Sequence, residues 1–513
     1  MAISDAPPTT AGRDAAVEKS KLQQHFGRAD VFFFLVCTLV GIDGLGTLAT
    51  EGGQGFTWLV VCTLLFAVPS AMLLAELGAA HTDEGGPYVW VRMAFGHLAG
   101  AVNNFFYWVT NPVWMGGTLV GTALGGLIVF LHGGEEYSRP VTYAFALVFI
   151  WAGVLFAVLS FRVGKWVATV GAVARFLLLG LFSVLVLLYG VENGFHGPSV
   201  GDYAPTFAGF VALVPLVLFS LVGFELPSSA GEEMTDAARD VPAGIAKSVV
   251  ATGLLYAVPV LGILLVLPSD QASGLAGFPE AVRQSLTVLG GEVTTAADGT
   301  VTATLTPFST AVGWVLGALV ALVAFTSGLT WIMGSDRTLA VSCYDGAGPR
   351  WLGRFSARFG TPTRVNLLSG VISTAVFVAV TEITDGDIAK FFGVALSLAI
   401  STTLISYLGI FPAAWRLRRK LPDHPLPYRA PALGLLTVVS TAWIAFCTVQ
   451  LLFPGLGIDW FGDDYRADGW AASERWVYLL TELVPLALFV AVAVGFWAAG
   501  RRQVDRADRP GGR

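Results

Sequence analysis

Twelve stretches of this chain, most of them about twenty residues or longer, carry almost no charge. They lie at 31–50, 57–79, 99–131, 141–160, 164–190, 207–227, 243–267, 308–333, 365–383, 388–413, 431–453 and 475–499. The hydrocarbon core of a bilayer is about 30 Å thick, and a helix crosses it in roughly 20 apolar residues. The runs are continuous, rich in Leu, Val, Ala and Phe, and lack the period-two alternation of a membrane-barrel strand. The spanning element is therefore a helix. With 55% hydrophobic and 13% charged residues and a mean hydropathy of +0.69, the 513-residue chain holds more apolar surface than a soluble fold can hide. The expectation is an all-α integral membrane protein of about 12 transmembrane helices.

The net charge of −6 decides little; the placement of positive charge decides more. With the N-terminus inside, most of the 30 lysines and arginines fall on inner segments, above all 349–364, "RLRRK" at 416–420 and the tail from Arg501. That asymmetry predicts cytoplasmic termini, with polar tails at 1–30 and 500–513. The first thirty residues lack the short apolar core and cleavage pattern of a signal peptide. With short loops and no targeting segment, the expected location is the plasma (inner) membrane.

Several classes of chemistry find no support. Cys37, Cys62 and Cys447 fall in apolar runs and Cys343 near an inner loop, which suggests no disulfide framework. The six histidines are scattered without metal-ligand spacing, and no phosphate-binding G-x-x-x-x-G-K-[ST] occurs. No catalytic cluster, metal, cofactor or nucleic-acid partner is called for; the expected partners are the bilayer, a small solute and protons. The oligomeric state is left open.

Most connections are short. The exception, about 268–307, contains "EVTTAADGTVTATL" (292–305), where Asp-Gly between β-branched residues predicts an external hairpin. Gly117, Gly121 and Gly125, four apart in the third run, read as a close-packing face.

Two runs are irregular in a way that packing does not explain. "LVGIDGLGTLA" (39–49) places Gly41, Asp43, Gly44 and Gly46 in the middle of the first. "PLVLFSLVGFELPSSAGEE" (215–233) places Pro215, Gly223, Glu225 and Pro227 in the sixth. Many secondary transporters are built from inverted repeats whose corresponding helices are broken near the midplane. Breaks five spans apart predict repeats at 31–190 and 207–413, with 431–499 added.

A broken helix frees backbone N–H groups on one half and C=O groups on the other, and in hydrocarbon these need partners. A zwitterion suits them. Its carboxylate can accept from N–H groups along Ile42–Gly46, around "GLG" (Gly44, Leu45, Gly46). Its ammonium can donate to carbonyls of Phe219, Ser220, Leu221 and Val222, and the half-helix dipoles reinforce both contacts. Asp43 has two readings: a cap on freed N–H groups, or a partner for a cationic ligand or a proton. Glu225 likewise either bonds nearby backbone or a positive residue, or carries a proton. Arg175, deep in the fifth run, either snorkels to the inner surface or stands as a fixed charge beside the breaks.

Four stretches, in order, carry a resemblance: "AELGAAHTDEGGPYVWVRMAFG" (75–96), "FSLVGFELPSSAGEEMTDAARDVPAGI" (219–245), "GSDRTLAVSCYDGAGPRWLGRFSARFGTPTRV" (334–365) and "YLGIFPAAWRLRRKLPDHPLPYRAP" (407–431). Over nearly its whole length the chain resembles the amino acid–polyamine–organocation superfamily of permeases. The resemblance implies a LeuT-like 5+5 fold with two added helices, alternating access, and a substrate between broken spans one and six. Leu45 stands where many members have the serine of Gly-Ser-Gly, which removes a hydroxyl from the carboxylate site. Phe219 matches an aromatic gate, and Asn111 and Trp331 match residues of arginine/agmatine exchangers. Arg175 aligns roughly with a lysine that in some relatives replaces a sodium ion; an arginine keeps the charge without titrating.

The function expected is secondary transport of amino acids, by proton symport or exchange. The alternative within the class is a carrier or antiporter of cationic amines such as agmatine or putrescine, which Asp43 favours. A channel would need a filter-like repeat and an enzyme a catalytic cluster, and neither is seen. A non-transporting sensor on the same scaffold remains a reading that flux alone separates.

Overall fold

The structure is a computed structural model that describes residues 26–507 except 160, 196, 269–270, 272–275, 296–300, 385–387 and 453–471. Of the expected tails, 1–25 and 508–513 lie outside the described residues. Among the described residues, ten helices are long and apolar enough to cross a membrane.

In chain order the helices are α1 (Arg28–Leu39), α2 (Leu45–Thr50), α3 (Gly53–Ala80), α4 (Gly86–Phe95), α5 (His97–Leu131), α6 (Arg139–Leu159), α7 (Phe161–Asn193) and α8 (Phe207–Ser220). They continue as α9 (Ala237–Val266), α10 (Gly277–Ser285), α11 (Pro307–Ala347), α12 (Thr363–Ile383), α13 (Ile388–Lys420), α14 (Leu433–Leu452) and α15 (Arg475–Ala507). Single π-helical turns interrupt two of them, at Thr63–Ala67 and Met115–Leu119, and a third, Cys343–Ala347, ends α11. The second follows Pro112, whose ring and missing N–H disturb the ladder of α5.

The first and sixth apolar runs are the interrupted ones. The first is α1 and α2 separated by the non-helical Val40–Gly44. The sixth is α8, an irregular segment around Val222–Glu225, then a 3₁₀ stretch at Leu226–Glu233. At Gly223 φ is +121°, and an added Cβ would lie 3.1 Å from the Trp331 ring, so only glycine is comfortable there. Neither half is long enough to count as a membrane-crossing helix by itself.

Helices α5 and α13 are the most enclosed, with 83% of their most apolar window inside the protein against 24% for α15. Outward faces are apolar too, with Val148, Val191 and Trp476 strongly exposed, as a lipid-facing surface requires. Backbone approaches are close where α5 meets its neighbours: a Cβ on Gly117 would strike Ala395 of α13. The external segment forms the expected hairpin, β1 (Gly291–Thr295) antiparallel to β2 (Val301–Leu305), with Val293 opposite Ala303. Its turn lies outside the described residues. The last helix continues to Ala507, eight residues past the expected end of the final run.

Candidate functional site

Interrupting a helix strands its last carbonyls, and at the end of α1 those of Thr38, Leu39 and Val40 take side-chain donors, Leu39 O also accepting from Gly41 N at 3.1 Å. Side chains from three other helices supply them. The Trp331 indole Nε1 of α11 donates to the Thr38 carbonyl at 3.3 Å. The Tyr256 hydroxyl of α9 donates to Leu39 O and accepts from Gly41 N, both at 2.9 Å. Arg175 Nε of α7 donates to Val40 O at 2.7 Å. The break is thus a built feature with its backbone groups taken up.

Arg175 is fully buried and does not reach a surface. Its other nitrogens donate to Gly171 O (2.8 Å), Val323 O (3.1 Å) and Thr326 Oγ1 (3.1 Å), and to the Ser327 hydroxyl. The guanidinium therefore faces the carbonyl end of α1, where the helix dipole is negative. No carboxylate is bonded to it among these contacts, although Asp43 is near enough for the two charges to interact.

Asp43 is 6% exposed, and its Oδ2 accepts from the Trp114 indole Nε1 of α5 at 2.7 Å. Its carboxylate also lies against the backbone N–H groups of Asp43 itself and Gly44. A small cavity opens beside it. Asp43, Gly44 and Gly41 form one wall, and Leu216, Phe219, Ser220 and Val222 of the sixth run another. Trp114, Thr110, Trp331 and Tyr256 close the rest. The aromatic groups meet edge to face: Trp114 lies 6.0 Å from Phe219 and 6.2 Å from Trp331, centroid to centroid.

Glu225, just past the second break, is fully buried. Its two oxygens accept from the hydroxyls of Tyr107 (2.9 Å) and Tyr407 (2.6 Å). These phenols on α5 and α13 were not among the partners expected for it, while its own backbone N–H, a nearby backbone group, also lies against the carboxylate.

Of the residues singled out in the sequence, Asp43, Gly44, Phe219, Ser220, Val222 and Trp331 border the cavity. Ile42, Leu45, Gly46 and Leu221 are buried around it without lining it. Asn111 is buried beside the lining residue Thr110, and neither of its amide atoms has a protein partner. Sequence reasoning missed Trp114, Tyr256, Tyr107 and Tyr407. The signal was present, since each is a polar aromatic within an apolar run, but the partner of each is 71 or more residues away.

A different set of charges gathers at the end that carries the basic segments. Arg337 Nη1 of α11 lies 2.8 Å from Glu84 and 2.7 Å from Glu233. Arg418 of α13 pairs with Glu76, whose Oε2 also accepts from Ala430 N at 2.7 Å. Asp345 accepts from Arg92 at 2.5 Å and from the Tyr88 hydroxyl at 2.6 Å. Burial pushes the Glu84 carboxyl, in the loop after α3, up to about 8 against the pull of Arg337, and the Glu233 carboxylate adds to the rise.

Comparison with known proteins gives a consistent picture. A family model described as "Amino acid permease" matches residues 26–461. A probable agmatine/putrescine antiporter of Lactococcus lactis is 23% identical over 85% of this chain and 89% of its own length. An uncharacterized transporter of Legionella pneumophila is 28% identical over 82% of this chain and 88% of its own. A branched-chain amino acid permease of Bacillus subtilis is 23% identical over 88% and 91%.

Proposed function

The chain belongs to the amino acid permease family and is a multi-pass membrane protein, and on that premise we propose that it is a secondary active transporter of amino acids. It works by alternating access across the plasma membrane with both termini in the cytoplasm. Twelve spans would then comprise two inverted five-helix repeats and two further helices, in a LeuT-like arrangement. The observation that carries the reading is the cavity between the two helix breaks, where Asp43, Gly44, Phe219, Ser220 and Trp331 converge.

Each group has a task in this account. Gly44, at the start of α2, faces the substrate carboxylate with the positive end of that half-helix, and carbonyls near Phe219–Val222 receive its ammonium. Phe219 covers the bound solute from α8. Arg175 holds the carbonyl end of α1 and supplies fixed positive charge beside the breaks. Its guanidinium does not titrate in the physiological range, so it steadies rather than carries. Glu225 is poised between two phenols that can follow a proton.

A second reading is favoured by one observation. Asp43 presents a carboxylate to a cavity whose other polar groups are neutral, which suits a solute with an additional positive group, as in agmatine or putrescine. Its name likens the Lactococcus relative to this second reading, and that of the Bacillus relative to the first.

A thermal-shift screen of the purified protein separates them, because a ligand of the folded state raises its apparent stability by mass action. Stabilisation by leucine or valine supports the first reading. Stabilisation by arginine, agmatine or putrescine alone supports the second. No response to any of them counts against both.

A further inference from the structure

A buried acid outside the substrate cavity is left over by the account above. Asp336 of α11 is 0% exposed. Its Oδ1 accepts from the Trp108 indole Nε1 of α5 at 2.8 Å and from the Ser369 hydroxyl of α12 at 2.6 Å. Its Oδ2 is buried with no protein partner. Arg337, next to it in sequence, points to Glu84 and Glu233 instead.

Three other charged groups, on α11 or on elements against it, are also engaged elsewhere. Arg175 of α7 is bonded to Val40, Gly171 and Val323, Glu225 to two phenols, and Asp345 to Arg92 and Tyr88. Among the described residues only Trp108 and Ser369 bond Asp336, and no cation pairs with it. An unpaired carboxylate in a membrane interior is costly unless it holds a proton.

The acid sits on a polar seam between α5 and α12, which pack against each other. Asn104, Trp108 and Asn111 follow at i, i+4 and i+7 on α5, and Asn366, Ser369 and Ser373 at i, i+3 and i+7 on α12, so each set shares one helix face. Both amide atoms of Asn104 and Asn111, Asn366 Oδ1 and Ser373 Oγ are buried without a protein partner. Polar groups of this kind in protein interiors commonly bond ordered water. Asn104 and Asn366 lie near the starts of their helices, at the basic end, and Asn111 adjoins Thr110 at the cavity wall.

We propose that Asp336 is a proton-binding site of the carrier, separate from the substrate cavity and filled through water in the Asn104–Asn366 seam from the side of the basic segments. This rests on the transporter reading. One proton passes from water in the seam to Oδ2 and returns to it, so the site alternates between a carboxylate held by two donors and a neutral acid. Asp336 shares α11 with Trp331, and its donor Trp108 shares α5 with Trp114. Its charge therefore acts on the two helices that carry the cavity indoles.

The test is uptake into proteoliposomes of labelled arginine, agmatine and leucine, with and without an imposed pH gradient. For the solute that wild type carries, Asp336→Asn should cut the accumulation driven by a one-unit pH gradient by up to about tenfold, the limit for one coupled proton. Exchange of the same solute without a gradient should persist, and Asp336→Glu should restore the response. If Asp336→Asn loses exchange too, Trp108→Phe becomes the probe. Removing one donor from the anionic form should move the pH midpoint of coupled uptake upward, and an unmoved midpoint overturns the proposal. Gradient-driven uptake that survives Asp336→Asn also overturns it. So does wild-type exchange indifferent to the gradient, which leaves the carrier reading standing. Exchange of none of the three solutes removes the carrier reading, and this one with it.

Discussion

Charge is buried in two regions of this protein and is handled in opposite ways. At the basic end, cations and acids touch: Arg337 between Glu84 and Glu233, Arg418 on Glu76, Arg92 on Asp345. Around the helix breaks, no two touch. Asp43 is held by an indole, Glu225 by two phenols, and Arg175 by carbonyls and hydroxyls. Contact pairs satisfy most of their charge on each other and tie distant segments together. Separated charges in neutral cradles keep their fields, and a solute or proton can answer them. The difference points to a lock at one end and a working site in the middle.

The largest effect expected from this contrast is at the lock. Arg337→Met leaves two buried glutamates without their cation, which should cost about 3–5 kcal/mol and collapse expression or lower Tm steeply. A variant as stable as the parent would show that the pair is dispensable. At the working site the same kind of change should spare the fold and remove function. Asp43→Asn deletes a charge-assisted contact of about 1.5–3 kcal/mol. Titration by thermal shift should then show cationic solutes binding roughly ten- to a hundredfold more weakly, the equivalent of that loss. Equal weakening of neutral and cationic solutes would return Asp43 to the role of a cap.

Tyr256→Phe tests whether the break is held as described. It removes the hydroxyl shared by the Leu39 carbonyl and the Gly41 N–H and leaves them only their own 3.1 Å bond, at a cost of about 0.5–1.5 kcal/mol in stability measured by denaturation. A silent substitution would mean that the break supports itself. The most gradual effect is in pH. Glu84 is raised to about 8 in the fold, while an unfolded glutamate titrates near its ordinary value of about 4.3. The folded state therefore keeps a proton that the unfolded chain releases. This group's stabilisation is full below about pH 4.3 and is lost as the pH rises through about 8. Glu84→Gln should flatten that part of a Tm-against-pH curve, and an unchanged slope would place the titration elsewhere.

How much of this was legible beforehand follows from the range of the forces. The breaks were visible because Gly41, Asp43 and Gly44, and then Pro215, Gly223 and Glu225, violate local helix preferences inside apolar runs. The hairpin was visible because Asp298-Gly299 is a local turn signal. Asp43 and Glu225 stood out as acids where acids are costly, yet their partners could not be named. Trp114 reaches Asp43 across 71 residues, and Tyr407 reaches Glu225 across 182. Such contacts follow from how helices pack, which no local pattern encodes. Arg175 shows the same limit: its depth in the run was plain, but its direction was set by where the carbonyl end of α1 comes to lie.

The most direct measurement is solute counterflow in proteoliposomes loaded with unlabelled arginine, agmatine or leucine, comparing wild type with Asp43→Asn. The account predicts that wild type accumulates the matching labelled solute. It also predicts that Asp43→Asn, folded and inserted to the same level, loses most of that accumulation when the solute is cationic. Labelled solute that enters wild-type and empty vesicles alike, for all three, would contradict it.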